Sequence, residues 1–317
     1  MESESVAIET PGGIIKTSRV QRFGTGAYII WLRDFKRFWR DRVRRIALFV
    51  QPLVFLFILG TGLQAAFKVF GAGGKTKYVV FMYPGILGMT VLFTSVFSAM
   101  SILWDREFGF LKEVLVSPVP RSSVAVGKIF GGATTACLQG AILMALAFFP
   151  WFFGFSLETL GKVLLVIPIM VLLSLGMTAA GVAIAANLKS FESFPLLMNF
   201  FLMPLFFLSG AMFPLQGLPG WMTVLTKVNP VAYGVDMIRG ILLKGVQVTS
   251  SVISINPKLL AYLAKAPPEV QAAARKMIPK MPQLQVQRYP FWLSLSVVTG
   301  FGLVLVAIAI WQFGRTE

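Results

Sequence analysis

Histidine is absent from the 317-residue chain, which excludes imidazole metal sites and histidine-based catalysis. Cys137 is the single cysteine. It can form no internal disulfide and says nothing of redox compartment; between Ala136 and Leu138 it reads as a small packed residue in a helix rather than a reactive thiol. Charge is scarce as well, at 13% of residues against about a quarter in soluble domains. With 56% hydrophobic residues, the composition is that of a membrane protein. Acids are the scarcer sign: 13 acidic side chains face 29 basic ones, for a formal charge of +16. Ten of the bases precede residue 46, where each would gain roughly 1 kcal/mol near an anionic leaflet. Nucleic acid is the rival explanation of so basic a chain, but bases beside apolar runs fit a bilayer better, and no nucleic-acid partner is expected.

Six stretches are long and apolar enough to cross the hydrocarbon: about 46–66, 78–103, 125–150, 160–186, 193–213 and 291–313, with no charged residue away from their ends. The fold class is therefore expected to be an all-α membrane protein with six transmembrane helices. The basic N-terminal segment, 1–45, is placed in the cytoplasm by the positive-inside rule, and an even number of crossings returns the tail, 314–317, to the same side. The first 45 residues lack the short apolar core and cleavage site of a secretory signal, so the first span is expected to be an uncleaved anchor. Within 1–45, Tyr28, Trp31, Leu32, Phe35, Phe38 and Trp39 recur at helical spacing, opposite Arg33, Asp34, Lys36, Arg37, Arg40 and Asp41. That pattern predicts an amphipathic helix lying in the membrane interface.

Small residues mark where spans touch: Gly132, Ala136 and Gly140 in the third, Ala179 and Ala183 in the fourth. Pro84, Pro168 and Pro204 predict kinks. After the fifth span, Pro214, Gly217, Pro219 and Gly220 break the helix, and Asn229-Pro230 reads as a new helix start; region 214–244 is expected to be a re-entrant pair of short outer helices. Asp236 and Arg239, three apart, are placed to pair with each other, or to meet a substrate. Segment 246–290 is polar and proline-punctuated, with Lys258, Lys265, Arg275, Lys276, Lys280 and Arg288 against the single acid Glu269; it reads as an external cap whose basic face is either simply solvated or attracts anionic groups.

The chemistry that would power transport is missing. "GAGGKTK", 71–77, approaches a phosphate-binding loop, but the pattern needs glycine where Val69 stands, and its flanks are apolar spans. No span carries the ionisable group of a proton- or ion-coupled carrier, and no nucleophile with a base, paired carboxylates or metal set suggests an intramembrane enzyme. Energy for any work on a substrate must come from another chain. Against this background the stretch "WDREFGFLKEVLVSPVPRSS", 104–123, concentrates Asp105, Arg106, Glu107, Lys112 and Glu113 between the second and third spans. Residues 104–118 predict a short amphipathic helix, with Phe108, Leu111 and Leu115 on one face, stopped by Pro118 and Pro120, with Ser122 or Ser123 placed to cap the third span. It is shaped to press into a groove on a soluble partner.

The stretches "YPGILGMTVLFTSVFSAMSILWDREFGFLKEVLVSPVPRSSVAVGKIFGG", 83–132, and "NPVAYGVDMIRGILL", 229–243, closely resemble the permease subunits of type 2 ABC exporters, and the likeness covers most of 25–313. The resemblance implies that Arg106, Glu107, Gly109, Phe110, Leu111 and Glu113 lie in a coupling helix that docks on a separate ATP-binding subunit, with Pro118, Arg121 and Gly127 shaping the start of the third span. It implies two permeases, the same or homologous, and two ATPases, with ATP and magnesium held by the ATPase and no cofactor or catalytic site in this chain. The substrate class implied is an amphipathic drug, lipid or lipid-linked glycan, moved out of the cytoplasm or inner leaflet across the plasma membrane of a prokaryote. Phe200, Phe201, Phe206 and Phe207 are by analogy candidate pathway contacts or gates, alongside ordinary core or lipid-facing packing. Polysaccharide export, and a non-transporting scaffold that uses an ATPase, are the alternatives.

Overall fold

In lipid every backbone N–H and C=O must be satisfied within the protein, which leaves the helix as the form open to a single apolar run. A computed structural model of the chain describes residues 6–10, 13–17, 19–69, 78–109, 119–188, 190–213, 215, 218–244, 267 and 287–315. Helix dominates, with one exception. Near the N-terminus β1 (Val6–Thr10) pairs antiparallel with β2 (Gly13–Thr17), Ile8 opposite Ile15. The ribbon is an addition to the all-α expectation, which the other described elements bear out: β-branched Val, Ile and Thr favour a pleated ribbon, and the segment is too short and polar for a span.

After the ribbon come α1 (Arg19–Arg40) and α2 (Arg42–Val54), the latter continued by a π-helical turn (Phe55–Leu59) and α3 (Gly60–Val69). Pro52 lies inside α2, three residues before the π turn, where its missing N–H loosens the i→i−4 ladder. Then follow α4 (Tyr78–Ser98) and α5 (Met100–Glu107), parted only by a turn at Ala99. Next are α6 (Arg121–Met144), with a 3₁₀ turn at Ala145–Phe148, and α7 (Leu157–Asn187). Beyond them lie α8 (Ser193–Phe207), α9 (Gly220–Val228), α10 (Pro230–Leu242) and α11 (Phe291–Arg315).

Four of these helical runs are long and apolar enough to cross a membrane: Tyr78–Glu107, Arg121–Phe148, Leu157–Asn187 and Phe291–Arg315. Phe49–Ala65 and Ser193–Phe207 are apolar but shorter. Residues 71–77, and with them the "GAGGKTK" turn, lie outside the described residues, as does nearly all of 246–290.

α4 is the central helix. It is apolar on all sides, as a fully enclosed helix must be, and residues 78–92 are buried throughout. Gly85 makes this possible on one face: a Cβ there would stand 2.2 Å from the Ala211 carbonyl oxygen. The small-residue seam of the third span also lies at helix contacts. A Cβ on Gly132 would meet Ser98 and Thr178, and one on Gly140 would meet Met170, so α6 presses closely on α4 and α7. Pro84, Pro168 and Pro204 sit inside α4, α7 and α8.

The start of α6 differs from the serine-cap expectation. Pro120, extended at φ −60° and ψ 134°, occupies the cap position, and no side chain caps the helix. Ser123 falls within the first turn and donates its hydroxyl back to the Pro120 carbonyl at 2.7 Å. A capping serine would need to stand where Pro120 does.

Candidate coupling site

Asp105 and Lys128 are nearly inaccessible, at 5% and 4% exposure, and the reason is each other. Lys128 Nζ lies 2.6 Å from Asp105 Oδ2 and 2.9 Å from Asp34 Oδ2, and donates to Ser101 Oγ at 3.0 Å. Arg33 reaches across from α1 to Asp105 Oδ2 at 2.5 Å and to Asp34 Oδ1 at 2.8 Å, while Arg37 stands 3.7 Å from Asp105 Oδ1. Three cations thus hold two carboxylates where α1, the end of α5 and the first turns of α6 meet. Burying such charges costs several kcal/mol per ion unless every one is paired, and here the pairing is made by three separate elements.

Sequence reasoning missed this network. It set Arg33, Asp34 and Arg37 on a polar face opposite the aromatic one. In the structure Asp34 and Arg33 turn inward, while Tyr28 and Trp39 are exposed and the rings Tyr28, Trp31, Phe35 and Trp39 form a ladder with successive centroids 5.7, 5.8 and 6.3 Å apart. A lipid-facing helix can show its apolar side outward, so amphipathicity alone does not tell which face is buried. The available signal was Lys128, a cation four residues into a predicted apolar span, opposite the rare acids Asp34 and Asp105.

Close approach of α1 to α6 depends on Gly127, where a Cβ would come 2.7 Å from the Ala27 carbonyl oxygen and 2.9 Å from Ile30 Cβ. The Trp31 indole N–H donates to Thr134 Oγ1 at 3.0 Å, about two turns further along α6. Burial would push the Asp34 carboxyl up, but Lys128 and Arg33 outweigh it and hold the group below the usual carboxylate range. Burial likewise opposes the Arg33 charge, and Asp34 and Asp105 more than restore it, so its pKa stands raised. Because the folded value for Asp34 is depressed, its stabilisation is fully present above the ordinary carboxyl pKa of about 3.9 and is lost as pH falls through the lower folded value. Thermal melts of the wild type should therefore lose Tm below about pH 4, and Asp34→Asn should flatten that part of the profile.

Each of the next residues in the charged stretch has its own address. Trp104 stacks on Phe191 at 5.8 Å and lies under the Arg37 guanidinium, 4.6 Å from the ring centre. Arg106 donates to the Leu188 carbonyl at 2.6 Å and to the Ala186 carbonyl at 3.1 Å. It thus satisfies the carbonyls left open at the C-terminus of α7 and complements that helix's dipole. Glu107 is exposed, Phe108 is 80% exposed, and Gly109 ends the helix at φ +76°, a left-handed turn that suits glycine. Phe110, Leu111, Glu113 and Pro118 lie outside the described residues. Arg121, at the first position of α6, is exposed.

On the far side of the bundle, Asp236 and Arg239 do not form an ion pair with each other. Asp236 accepts the backbone N–H of Arg288 at 2.9 Å and of Tyr289 at 2.9 Å. The buried Arg239 guanidinium donates to the Gly210 carbonyl at 2.5 Å and lies 4.4 Å from the centre of the Phe81 ring. Asn229 caps α10 by accepting from Val231 N at 3.0 Å and donates to the Leu205 carbonyl at 2.7 Å. α10 therefore ties the end of α8 to the start of α11. Of the four phenylalanines in α8, Phe206 packs in the core at 1% exposure, edge-on to Phe93, whereas Phe200, Phe201 and Phe207 are exposed. The structure does not gather them into one site.

Comparison with known proteins agrees with this architecture. The sequence profile described as ABC-2 type transporter matches residues 25–243. Among relatives, the putative transport permease ycf38 of Cyanophora paradoxa is 28% identical over 214 residues, 67% of this chain and 72% of the relative. Nodulation protein J of Rhizobium meliloti is 26% identical over 222 residues, 68% of this chain and 80% of the relative. The inner membrane transport permease YadH of Escherichia coli is 26% identical over 211 residues, 66% and 80% of the two chains. The matched region runs from within α1 through α10 and takes in the buried ion network and the contact of Arg239 with Gly210; the chain belongs to the ABC-2 type transporter family, as a membrane-embedded transport permease.

Proposed function

We propose that this permease exports an amphipathic drug, lipid or lipid-linked glycan, using the ATP hydrolysed by a separate ABC ATPase that docks at the segment following Asp105. The observation that carries the reading is the joint itself: the residue that opens the charged connection is bound by charge to α1 and to the start of the third span. A push delivered there reaches three elements at once. Glu107 and Phe108, the exposed acid and ring at the tip, are the described residues best placed to touch the ATPase, with Phe110, Leu111 and Glu113 continuing the contact. Arg106 acts instead as the positioning residue that fixes the tip against α7.

In this reading α1 lies along the cytoplasmic interface and both termini face the cytoplasm of a prokaryote. The apolar helices Phe49–Ala65 and Ser193–Phe207 complete six crossings, and α9 with α10 form the outer re-entrant pair. Two permeases and two ATPases make the working unit, with ATP and magnesium in the ATPase and the pathway between the permeases. The exposed rings of Phe200, Phe201 and Phe207 are candidates to face it.

The test is a Glu107→Lys/Phe108→Glu permease co-expressed with its ATPase. Copurification is expected to fall at least tenfold, with substrate-stimulated ATP hydrolysis lost in proteoliposomes. Undiminished complex formation together with undiminished stimulation would place the docking site elsewhere. Transport of a labelled lipid or drug in the same vesicles separates an exporter from a scaffold.

A further inference from the structure

On the other flank of the ion network, Arg33, Lys36, Arg37, Arg40 and Asp41 line an open cleft of about 580 Å³. Arg33 and Arg37 already meet Asp34 and Asp105, which leaves Lys36 and Arg40 against Asp41 at the mouth. Lys36 and Arg40 are exposed, one helical turn apart, so both ammonium and guanidinium reach the same mouth. Neither forms an ion pair among the described residues. The same helix carries the aromatic ladder from Tyr28 to Trp39, and the Arg45 guanidinium lies 5.2 Å from the centre of the Trp39 ring. Indole and phenol rings of this kind settle at headgroup depth, and α2, with its exposed apolar Val43, Ile46 and Val50, begins directly beyond the cleft.

The geometry points to a binding site for the phosphate headgroup of an anionic phospholipid, held by Lys36, Arg40 and Arg37, with its acyl chains along the exposed apolar face of α2. The inference rests on the placement of α1 at the cytoplasmic interface. A phosphate diester matches the cleft in three ways. Its charge opposes the cationic excess, its oxygens suit the forked guanidinium donors, and its chains give the exposed apolar side chains a partner. Arg37 also faces Asp105 and Trp104, so a lipid bound there holds α1 onto the joint through which the coupling segment is attached.

The experiment uses the permease with its ATPase in nanodiscs of phosphatidylcholine with or without phosphatidylglycerol, and counts retained lipids by native mass spectrometry. Wild type is expected to retain phosphatidylglycerol preferentially and to gain thermal stability from it. Lys36→Gln/Arg40→Gln is expected to weaken that retention roughly thirtyfold, from two lost contacts near the surface, while Lys36→Arg/Arg40→Lys preserves it. Equal retention of both lipids, or a double variant that keeps the preference, overturns the site. Loss of ATPase copurification with unchanged lipid retention assigns the cleft to the protein partner instead. Competition by soluble glycerophosphoglycerol at the same concentration as the lipid assigns it to a free phosphate ester. Labelling of Lys36→Cys in a Cys137→Ser background from one side only reports the placement of α1 separately, so a wrongly sided helix and an absent lipid site give different results.

Discussion

Lys128→Met is expected to destabilise the permease by about 3–5 kcal/mol, the usual cost of removing one partner from a buried ion cluster, read as a fall in Tm in detergent. Lys128 Nζ is the contact common to Asp105, Asp34 and Ser101, at 2.6, 2.9 and 3.0 Å. Without it Asp34 retains Arg33 on Oδ1 but its Oδ2 loses its cation, and Asp105, still held by Arg33 and Arg37, loses the closer-packed ammonium that shares Oδ2. Methionine fills a similar volume, so packing loss contributes little and the change reports the charge. Adding Asp34→Asn should recover part of the loss, with a coupling of 1 kcal/mol or more in a double-mutant cycle. Under the proposed function, Lys128→Met should also reduce stimulated ATP hydrolysis at temperatures where the fold is intact. A variant as stable as wild type with zero coupling to Asp34 would show that the network is not a joint.

Arg239→Ala is the second large effect expected, about 3 kcal/mol. The guanidinium is 4% exposed; its bond to the Gly210 carbonyl is of the charge-assisted kind, worth about 1.5–3 kcal/mol, and its stacking on Phe81 adds up to about 2 kcal/mol when desolvated. The desolvation of the cation itself subtracts from that sum. Gly210, at φ +74°, closes the turn after α8, so loss of the clamp frees the end of that helix from α4 and α10. Arg239→Met, which keeps the apolar stem, should recover less than half of the loss. Full recovery by methionine would mean that packing alone, and not the bond to Gly210, holds the turn. An unchanged Tm for Arg239→Ala would remove the clamp from the account.

The punctuation of the chain was legible residue by residue. Pro120 marks the start of α6, where it stands at the cap position, because proline's fixed φ and missing N–H suit the end of a helix and not its interior. Asn229-Pro230 marks the start of α10 because an asparagine oxygen satisfies a free N–H and proline needs none. The charged stretch from Asp105 to Glu113 stood out because charge is costly at bilayer depth and therefore sits where a chain leaves it. What did not follow was the direction of each side chain. Arg106 and Glu107 are neighbours of equal standing in the sequence, yet one caps α7 and the other faces out. Asp236 and Arg239 are correctly spaced for a helical ion pair, and each has a better partner in backbone brought from elsewhere.

The sequence by itself determined that the chain is a helical membrane protein, which family it resembles and, at Pro120 and Asn229-Pro230, where two helices start, since these depend on local composition and on residues that cannot continue a helix. Only the tertiary structure decided which charges are joined. Asp34, Asp105 and Lys128 come from three helices separated by up to 94 positions, and an ion pair forms according to distance and burial in space, for which spacing along one helix gives no rule.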